Sequence, residues 1–366
     1  AQAGPALWPL VTAMGHANGV LAAALAALAR RFAELPGAAV ALPVRSPVAV
    51  IAAYAAVAAA VLAGRQLSRR LDPWTTTGAA GWRRLPVRTR GLAAAAGAAL
   101  LGLGALRVTA TPAAPREPTV SFLDVGQGDA TLVQDGAGAS VLFDGGPPEA
   151  RVYRKLRAAG VSSLDLMVAT HQSRDHQGGL REVLDRIPTS TLLENGDGTH
   201  DRDFLELLAD ADRRHVRRVR GRAGQVLHVG RLTIRVLSPP PRAPGPPPSD
   251  PNQRAVAAVV SEGGFDLFLA ADAESPALLG LPLPRVEAMK VSHHGSADPG
   301  LPELLARLEP QVAAIEVGAG NVYGHPAPST VAALGRAVPH VYRTDRDGTV
   351  RLTVGASGRL HVETAR

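Results

Sequence analysis

The 366-residue chain has no cysteine, and aromatic residues make up only 4% of it. The missing thiols exclude a disulfide scaffold, a Cys-ligated zinc finger and an iron–sulfur site, without deciding the compartment. Acidic residues are scarce in one region. Residues 1–106 carry ten Arg and no Lys against Glu34 and Asp72 alone, a net of +8. The rest of the chain nets −1, so the overall +7 and the pI near 10.6 belong to the first third. Such a pI signals a polyanion partner only where the charge clusters on a binding face. A hydrophobic content of 46% excludes a disordered chain, and the length suits roughly two or three domains.

What the first third does contain is Ala, Val, Leu and Gly with basic punctuation. Val48 to Gly64 is apolar apart from the hydroxyl of Tyr54, and Gly91 to Leu106 has no polar side chain. A hydrocarbon core about 30 Å thick takes about 20 helical residues, so both runs read as short transmembrane helices. Buried soluble helices are the alternative. Residues 65–90 between them hold seven Arg and one Asp, a loop that stays cytoplasmic. Everything after Leu106 then lies on the external face. Over residues 6–29, Leu7, Leu10, Val11, Met14, Leu21, Leu25 and Leu28 recur at helical spacing, interrupted by His16 and Asn18. This predicts an interfacial amphipathic helix in preference to a third span. The chain starts with Ala and shows no signal-peptide pattern, so it reads as the C-terminal piece of a longer membrane protein. Residues 107–118 are the expected linker.

From Thr119 the texture changes to short β-branched runs alternating with helical stretches. Strands are predicted at 119–125, 140–144, 164–170, 232–238, 256–260, 266–271, 286–292 and 311–318. Helices are predicted near 149–160, 178–186, 202–213, 301–309 and 328–337. Ser238 to Pro251 holds eight Pro in 14 residues, so it is a loop. The class is α/β, and no internal repeat is present.

Chemistry gathers where strands end. The third run ends in THQSRDHQGG, placing His171, Asp175 and His176 within six residues. Such groups can converge on one cation, although a lone pair of His at this spacing also suits a helix-start loop with an Asp cap. Three further strand ends carry Asp144, Asp272 and the pair His293–His294. Four apolar strands ending in Asp or His present the oxygen and nitrogen ligands of a zinc or manganese hydrolase.

The series FLDVGQGDA, LFDGG, THQSRDHQGG, FLAAD, KVSHHGS and NVYGHP resembles the metallo-β-lactamase-like domain of the ComEC-type competence DNA-uptake family. The resemblance covers about residues 119–366. The preceding segment resembles the end of that family's membrane channel domain. It implies an αββα sandwich preceded by transmembrane α-helices, with one or two divalent ions, Zn²⁺ or Mn²⁺, at one edge. Carried over to this chain, the metal ligands are His171, Asp175, His176 and the bridging Asp272, with one of His293 and His294. Asp175, Asp272 and His325 are the catalytic candidates. Asp144, Asp129, Gln127, Ser296 and Asn321 fall at supporting or substrate-facing positions, and Asn321 and His325 are candidates to touch phosphate or protonate a leaving group. The alternative for His325 is a helix-start residue ahead of Pro326.

One departure is informative. The fold's usual motif has a third ligand two residues after its first His, and here that place is Ser173. One site remains from Asp175, His176, Asp272 and a His of the pair, while the other keeps His171 and Asp272, with His200 or His228 as additions. Ala270–Ala271 replaces the family's Thr-Gly.

The resemblance implies a multi-pass cytoplasmic-membrane protein that passes transforming DNA. Its external nuclease domain would degrade the strand not imported. The partners implied are DNA, the lipid bilayer, the N-terminal remainder of the channel and the competence machinery. Two alternatives stand beside it: a catalytically degenerate domain that only guides DNA, and a tethered hydrolase of another phosphodiester. Residues 213–222, RRHVRRVRGR, read as a solvated helix end facing the acids before it. The alternative is a polyanion contact through Arg217, Arg218 and Arg220.

Overall fold

The computed structural model describes residues 112–242 and 245–366, within the second of two compact units, Thr111–Arg366. The expected interfacial helix, both transmembrane runs and the Arg-rich loop lie outside the described residues. Among the described residues, no helix is long and apolar enough to cross a membrane.

Two sheets stack face to face. The first has eight strands: β1 Thr119–Phe122, β2 Thr131–Gln134, β3 Ser140–Phe143, β4 Leu164–Ala169, β5 Thr189–Glu194, β6 Arg217–Arg220, β14 Val350–Val354 and β15 Leu360–Thr364. Their spatial order is β15-β14-β1-β2-β3-β4-β5-β6. The second has seven: β7 Val226–Val229, β8 Leu232–Ser238, β9 Ala257–Glu262, β10 Phe265–Leu269, β11 Ala288–Lys290, β12 Val312–Ile315 and β13 His340–Arg343. Their order is β13-β12-β11-β10-β9-β8-β7.

Alternation along each strand explains the layers. In β3, Val141 and Phe143 point between the sheets, while Leu142 points to the helical layer outside. In β12, Val312 and Ala314 face the other sheet, and Ala313 and Ile315 face helices. A strand covered on both faces must be apolar throughout, which is why these runs were legible. Helices α1 Val152–Ala158, α3 Leu180–Arg186 and α4 Arg202–Arg213 cover the first sheet. The second is covered by α5 Ser275–Leu278, α6 Leu301–Leu308 and α7 Pro328–Ala337. Two short helices complete the set, α2 Arg174–Gln177 and α8 Thr344–Asp347. The result is the expected αββα sandwich.

All eight predicted strands are present, with ends shifted by a few residues. The sheets also contain β2, β5, β6, β7, β13, β14 and β15, none of them predicted. Residues 213–222 correct the expectation of a helix end. The helix stops at Arg213, and Arg217–Arg220 forms β6, parallel to β5 at the sheet edge. The acids before it do pair with it in part: Asp210 with Arg213 and Asp212 with Arg218.

Candidate metal centre

Strands β3, β4 and β5 run parallel, as do β10, β11, β12 and β13, so their C-terminal ends deliver loops to one rim. Ligands in α/β folds bind at such ends. Asp144 follows β3, His171 and α2 follow β4, Asp272 follows β10, and the His293–His294 turn follows β11. Asp144, Ala271, His293 and His294 all adopt left-handed backbone angles, with φ of 58°, 50°, 48° and 52°. Non-glycine residues rarely hold that conformation, and such strain concentrates at functional sites. Gly128 allows the 126–129 loop to rest on the carbonyl of Asp175, since a Cβ there would lie 2.2 Å from that oxygen.

Asp129, His176, Asp272 and His294 are buried, each with a ligand atom within 4.8 Å of those of the other three. His176 Nε2 is 3.1 Å from Asp272 Oδ2, and His294 Nε2 is 3.7 Å from Asp272 Oδ1. Asp175 adjoins them, its Oδ2 3.3 Å from His294 Nε2 and 4.0 Å from His176 Nε2. His171 Nε2 and His293 Nε2 lie 4.0 Å and 3.7 Å from Asp272 Oδ2. Asp272 is therefore the carboxylate that every imidazole of the cluster approaches.

The imidazoles are oriented from behind. His176 donates from Nδ1 to Asp144 Oδ2 at 2.8 Å, and His294 from Nδ1 to the Glu316 carbonyl at 3.0 Å. Asp144 also accepts from the Thr170 amide and hydroxyl, and that hydroxyl oxygen lies 3.0 Å from His171 Nδ1. Each of the three rings thus presents Nε2 to the interior, as ligating histidines do. Between the two adjacent histidines, the geometry favours His294. His293 is half-buried and its Nδ1 bonds Glu274, which also accepts from Ser296.

The electrostatics follow from this crowding. Burial opposes charge on His294, but the Asp272 and Asp129 carboxylates overcome it and lift the ring to about 10. His176 is raised by Asp272 and Asp129 against the same burial. His171 is pushed down to about 4 by burial and by the neighbouring His176. Burial works against ionised Asp272 as well, yet His176 and His294 hold it well below the usual carboxylate range. Burial and the nearby Asp129 push Glu316 well above the usual carboxylate range, and its carboxyl accepts from the Thr131 hydroxyl.

Among the described residues, His171 Nε2, His176 Nε2 and Asp272 Oδ1 have no hydrogen-bond partner, while Asp129 Oδ1 lies 3.1 Å from His294 Nδ1. Leaving such atoms buried and unsatisfied costs about 1–3 kcal/mol each. The Nε2 atoms of His176 and His294 with the carboxylates of Asp272 and Asp175 are a donor set suited to a divalent cation, and the residues fit one.

Other sequence candidates fall around this group. Gln127 accepts a bond from the Gly318 amide and ties two rim loops together. Asn321 uses its amide within its own loop, donating to the Gly318 and His325 carbonyls and accepting from the Tyr323 and His325 amides. That leaves it a loop clamp rather than a phosphate contact. His325 stands at the edge, its ring 5.7 Å from that of His293. His200 and His228 are exposed, and neither joins the group, which corrects their suggested role as extra ligands. Arg217, Arg218 and Arg220 do not form one contact face. Arg218 pairs with Asp212, Arg217 lines a cavity beside His228, and Arg220 lines a separate pocket.

Sequence reasoning placed Asp129 at the rim, whereas its carboxylate reaches the cluster. It missed Lys290, whose buried ammonium touches Asp129, and Glu316. The available signal was a charged residue inside an otherwise apolar strand or at its end: the Lys of AMK and the Glu after VAAI.

Residues 123–318 match the metallo-beta-lactamase superfamily, and the chain belongs to it. ComE operon protein 3 of Bacillus subtilis is 27% identical over 263 residues, covering 66% of this chain and 33% of that protein. Recombination protein 2 of Haemophilus influenzae is 27% identical over 259 residues, 68% of this chain and 30% of its own. Competence protein ComA of Neisseria gonorrhoeae is 28% identical over 270 residues, 71% and 35% respectively. The resemblance to the ComEC-type family read from the motifs is met by these relatives. The chain spans about a third of the length of the curated relatives it matches.

Proposed function

We propose that this chain serves in DNA uptake for natural transformation and that its metallo-β-lactamase domain is a metal-dependent phosphodiesterase acting on DNA. The observation that carries the reading is the buried Asp129–His176–Asp272–His294 group with Asp175 beside it. A cleft of about 610 Å³, bounded by Gln127, Ser173, Asp175 and Tyr323, gives a substrate access to Asp175. The apolar runs at 48–64 and 91–106, flanking an Arg-rich loop, support membrane anchoring with this domain on the external face. DNA, the bilayer and other competence proteins are the proposed partners.

His176, Asp272, His294 and Asp175 would hold Zn²⁺ or Mn²⁺, and His171 with Asp272 would contribute to a second ion. A divalent cation held by these residues would supply Lewis acidity towards a phosphoryl oxygen and would make water a better nucleophile near neutral pH. The protein's own part is orientation and exclusion of water. Asp144 keeps the His176 proton on Nδ1, and the Glu316 carbonyl keeps that of His294 on Nδ1. His325 is held low by burial and by the charges of His293 and His294, so its ring is neutral near pH 7 and able to accept a proton at the rim.

Ser173 favours a second reading, a degenerate domain that guides DNA. It stands where the fold's motif has a ligand, and its hydroxyl donates to Asp175 instead. One experiment separates the two. The full chain, purified in detergent, is assayed for bound metal and for cleavage of DNA and of a small phosphodiester with Mn²⁺ or Zn²⁺ supplied. The catalytic reading expects cleavage that disappears in Asp272→Asn. Binding of DNA without hydrolysis under every metal overturns it in favour of the guide.

A further inference from the structure

A second pocket, of about 370 Å³, lies where the loop after β5, the end of β6 and the Pro239–Arg242 segment meet. Four guanidiniums line it: Arg220, Arg222, Arg242 and Arg254. Its volume is within the range of ligand sites, roughly 300–1,000 Å³.

The charges there exceed what folding requires. The Asp197 side chain is nearly inaccessible and organises two of the four, accepting from Nε and Nη2 of Arg254 on its two oxygens and lying 3.3 Å from Arg242. Arg254 also donates to the Pro240 carbonyl at 2.9 Å, which fixes the proline segment. Arg220 is 3.8 Å from Glu194 yet keeps 65% of its side chain exposed. Arg222 is exposed and has no acidic partner among the described residues. Four positive groups therefore face two carboxylates: Arg242 and Arg254 are held against Asp197 and neighbouring carbonyls, and the charges of Arg220 and Arg222 are presented to solvent in the concave wall.

This wall is continuous with the metal centre. Asn195 donates to Gln172 at 3.3 Å, and the Val256 amide donates to the Thr170 carbonyl at 3.0 Å. Gln172 and Thr170 are the neighbours of His171 in the chain. Asn252, two residues before Arg254, places its amide nitrogen 3.5 Å from His293 Nε2. The elements that line the pocket therefore adjoin the loops that carry His171 and His293 on the rim of the site. No aromatic side chain lines the pocket, so it offers no surface for base stacking. What it can grip is backbone phosphate, and guanidinium forks match phosphate oxygens in pairs.

We propose that the Arg220–Arg222–Arg242–Arg254 pocket is a phosphate-binding site for the DNA strand whose reacting diester lies at the metal centre. The inference rests on the phosphodiesterase reading and adds to it where the strand is held. The grip is independent of sequence, since phosphate contacts position a strand without reading its bases.

The test is equilibrium binding of a nuclease-resistant phosphorothioate oligodeoxythymidine to the full, metal-loaded chain across a series of salt concentrations. Each lost phosphate contact to a single strand lowers the salt slope by about 0.7. The variant Arg220→Ala/Arg222→Ala/Arg242→Ala is expected to lose about 2 from the slope and at least about tenfold in affinity. Arg222→Glu alone, at an exposed and unpaired position, is expected to weaken binding without unfolding the chain, and Arg222→Lys to retain most of it. Arg336→Ala/Arg346→Ala/Arg351→Ala removes the same charge from α7, α8 and β14 and is the control, expected to leave both quantities near those of the unaltered chain. Equal behaviour of the two triple variants overturns the proposal, as does an unaltered chain that fails to bind the strand. Cleavage of unmodified DNA by the unaltered chain is followed in parallel. Cleavage without arginine-dependent binding removes the pocket and leaves the catalytic reading intact. Arginine-dependent binding without cleavage does the reverse.

Discussion

The ammonium of Lys290 rests against the carboxylate of Asp129, with only 2% and 4% of their side chains exposed. Burial opposes the charge on Lys290, yet Asp129 and Asp272 keep it protonated. The same ammonium donates to the Ala271 carbonyl at 2.8 Å and lies 4.0 Å from Asp272 Oδ1. A fixed positive charge is thus built into one side of the metal group. Removing one member of a buried ion pair strands the other and costs about 3–5 kcal/mol. Lys290→Met is expected to destabilise the metal-free chain by about that much, and Asp129→Asn/Lys290→Met by clearly less than the two single changes summed. Urea unfolding of the four proteins checks this, and strict additivity would show that the pair is not coupled.

Asp144 touches no other cluster member than His176, yet it controls which nitrogen of that ring is free. Asp144→Asn keeps the volume and loses the charged acceptor, so metal affinity is expected to fall about 10- to 100-fold. A competition titration against a chromogenic chelator measures it. Retained affinity would mean that the Nδ1 bond does not orient the ring.

The metal-free chain has a defined pH response. His294 is raised from 6.5 to about 10, so its contribution to stability is complete below pH 6.5 and is lost as pH rises through 10. His176 is shifted in the same direction. His171 acts oppositely: held at about 4, it favours the folded state above pH 6.5 and loses that contribution as pH falls towards 4. The thermal midpoint of the metal-free chain is therefore expected to decline on both sides of pH 6.5. Saturating Zn²⁺ should flatten the alkaline limb, because the cation replaces the protons on the imidazoles. An alkaline limb unchanged by metal would contradict the ligand assignment.

Ser173→His restores an imidazole two residues after His171. The expected outcome is a second metal equivalent, or a tighter one, counted by elemental analysis after dialysis. Ser173→Ala removes only the hydrogen bond to Asp175 and is expected to change metal content little. If both variants hold the same metal as the unaltered chain, His171 is not part of a second site.

Legibility followed burial. Helix α4 was readable because its apolar residues share one face and Asp201 caps it, accepting from the Phe204 amide at 2.7 Å. Strands β4 and β12 were readable because both faces are covered. Strand β6 was not: its only packed side chain is Val219, and three arginines in four residues carry no strand periodicity. The pairing with β5 imposes that conformation, not local preference.

By itself the sequence determined the series of apolar strands ending in Asp or His, and with it the superfamily and the rim that carries the site. Which atoms meet was decided only by tertiary structure. Asp129 and Lys290 are 161 residues apart, one in the loop between β1 and β2 of the first sheet and the other at the end of β11 in the second, so only the stacking of the sheets joins them. His293 and His294 are adjacent in the chain, yet left-handed angles at both turn one imidazole to the metal group and the other to Glu274. Periodicity reports which face a side chain takes. The convergence of donors from five loops depends on sheet register and loop dihedrals, which no local pattern encodes.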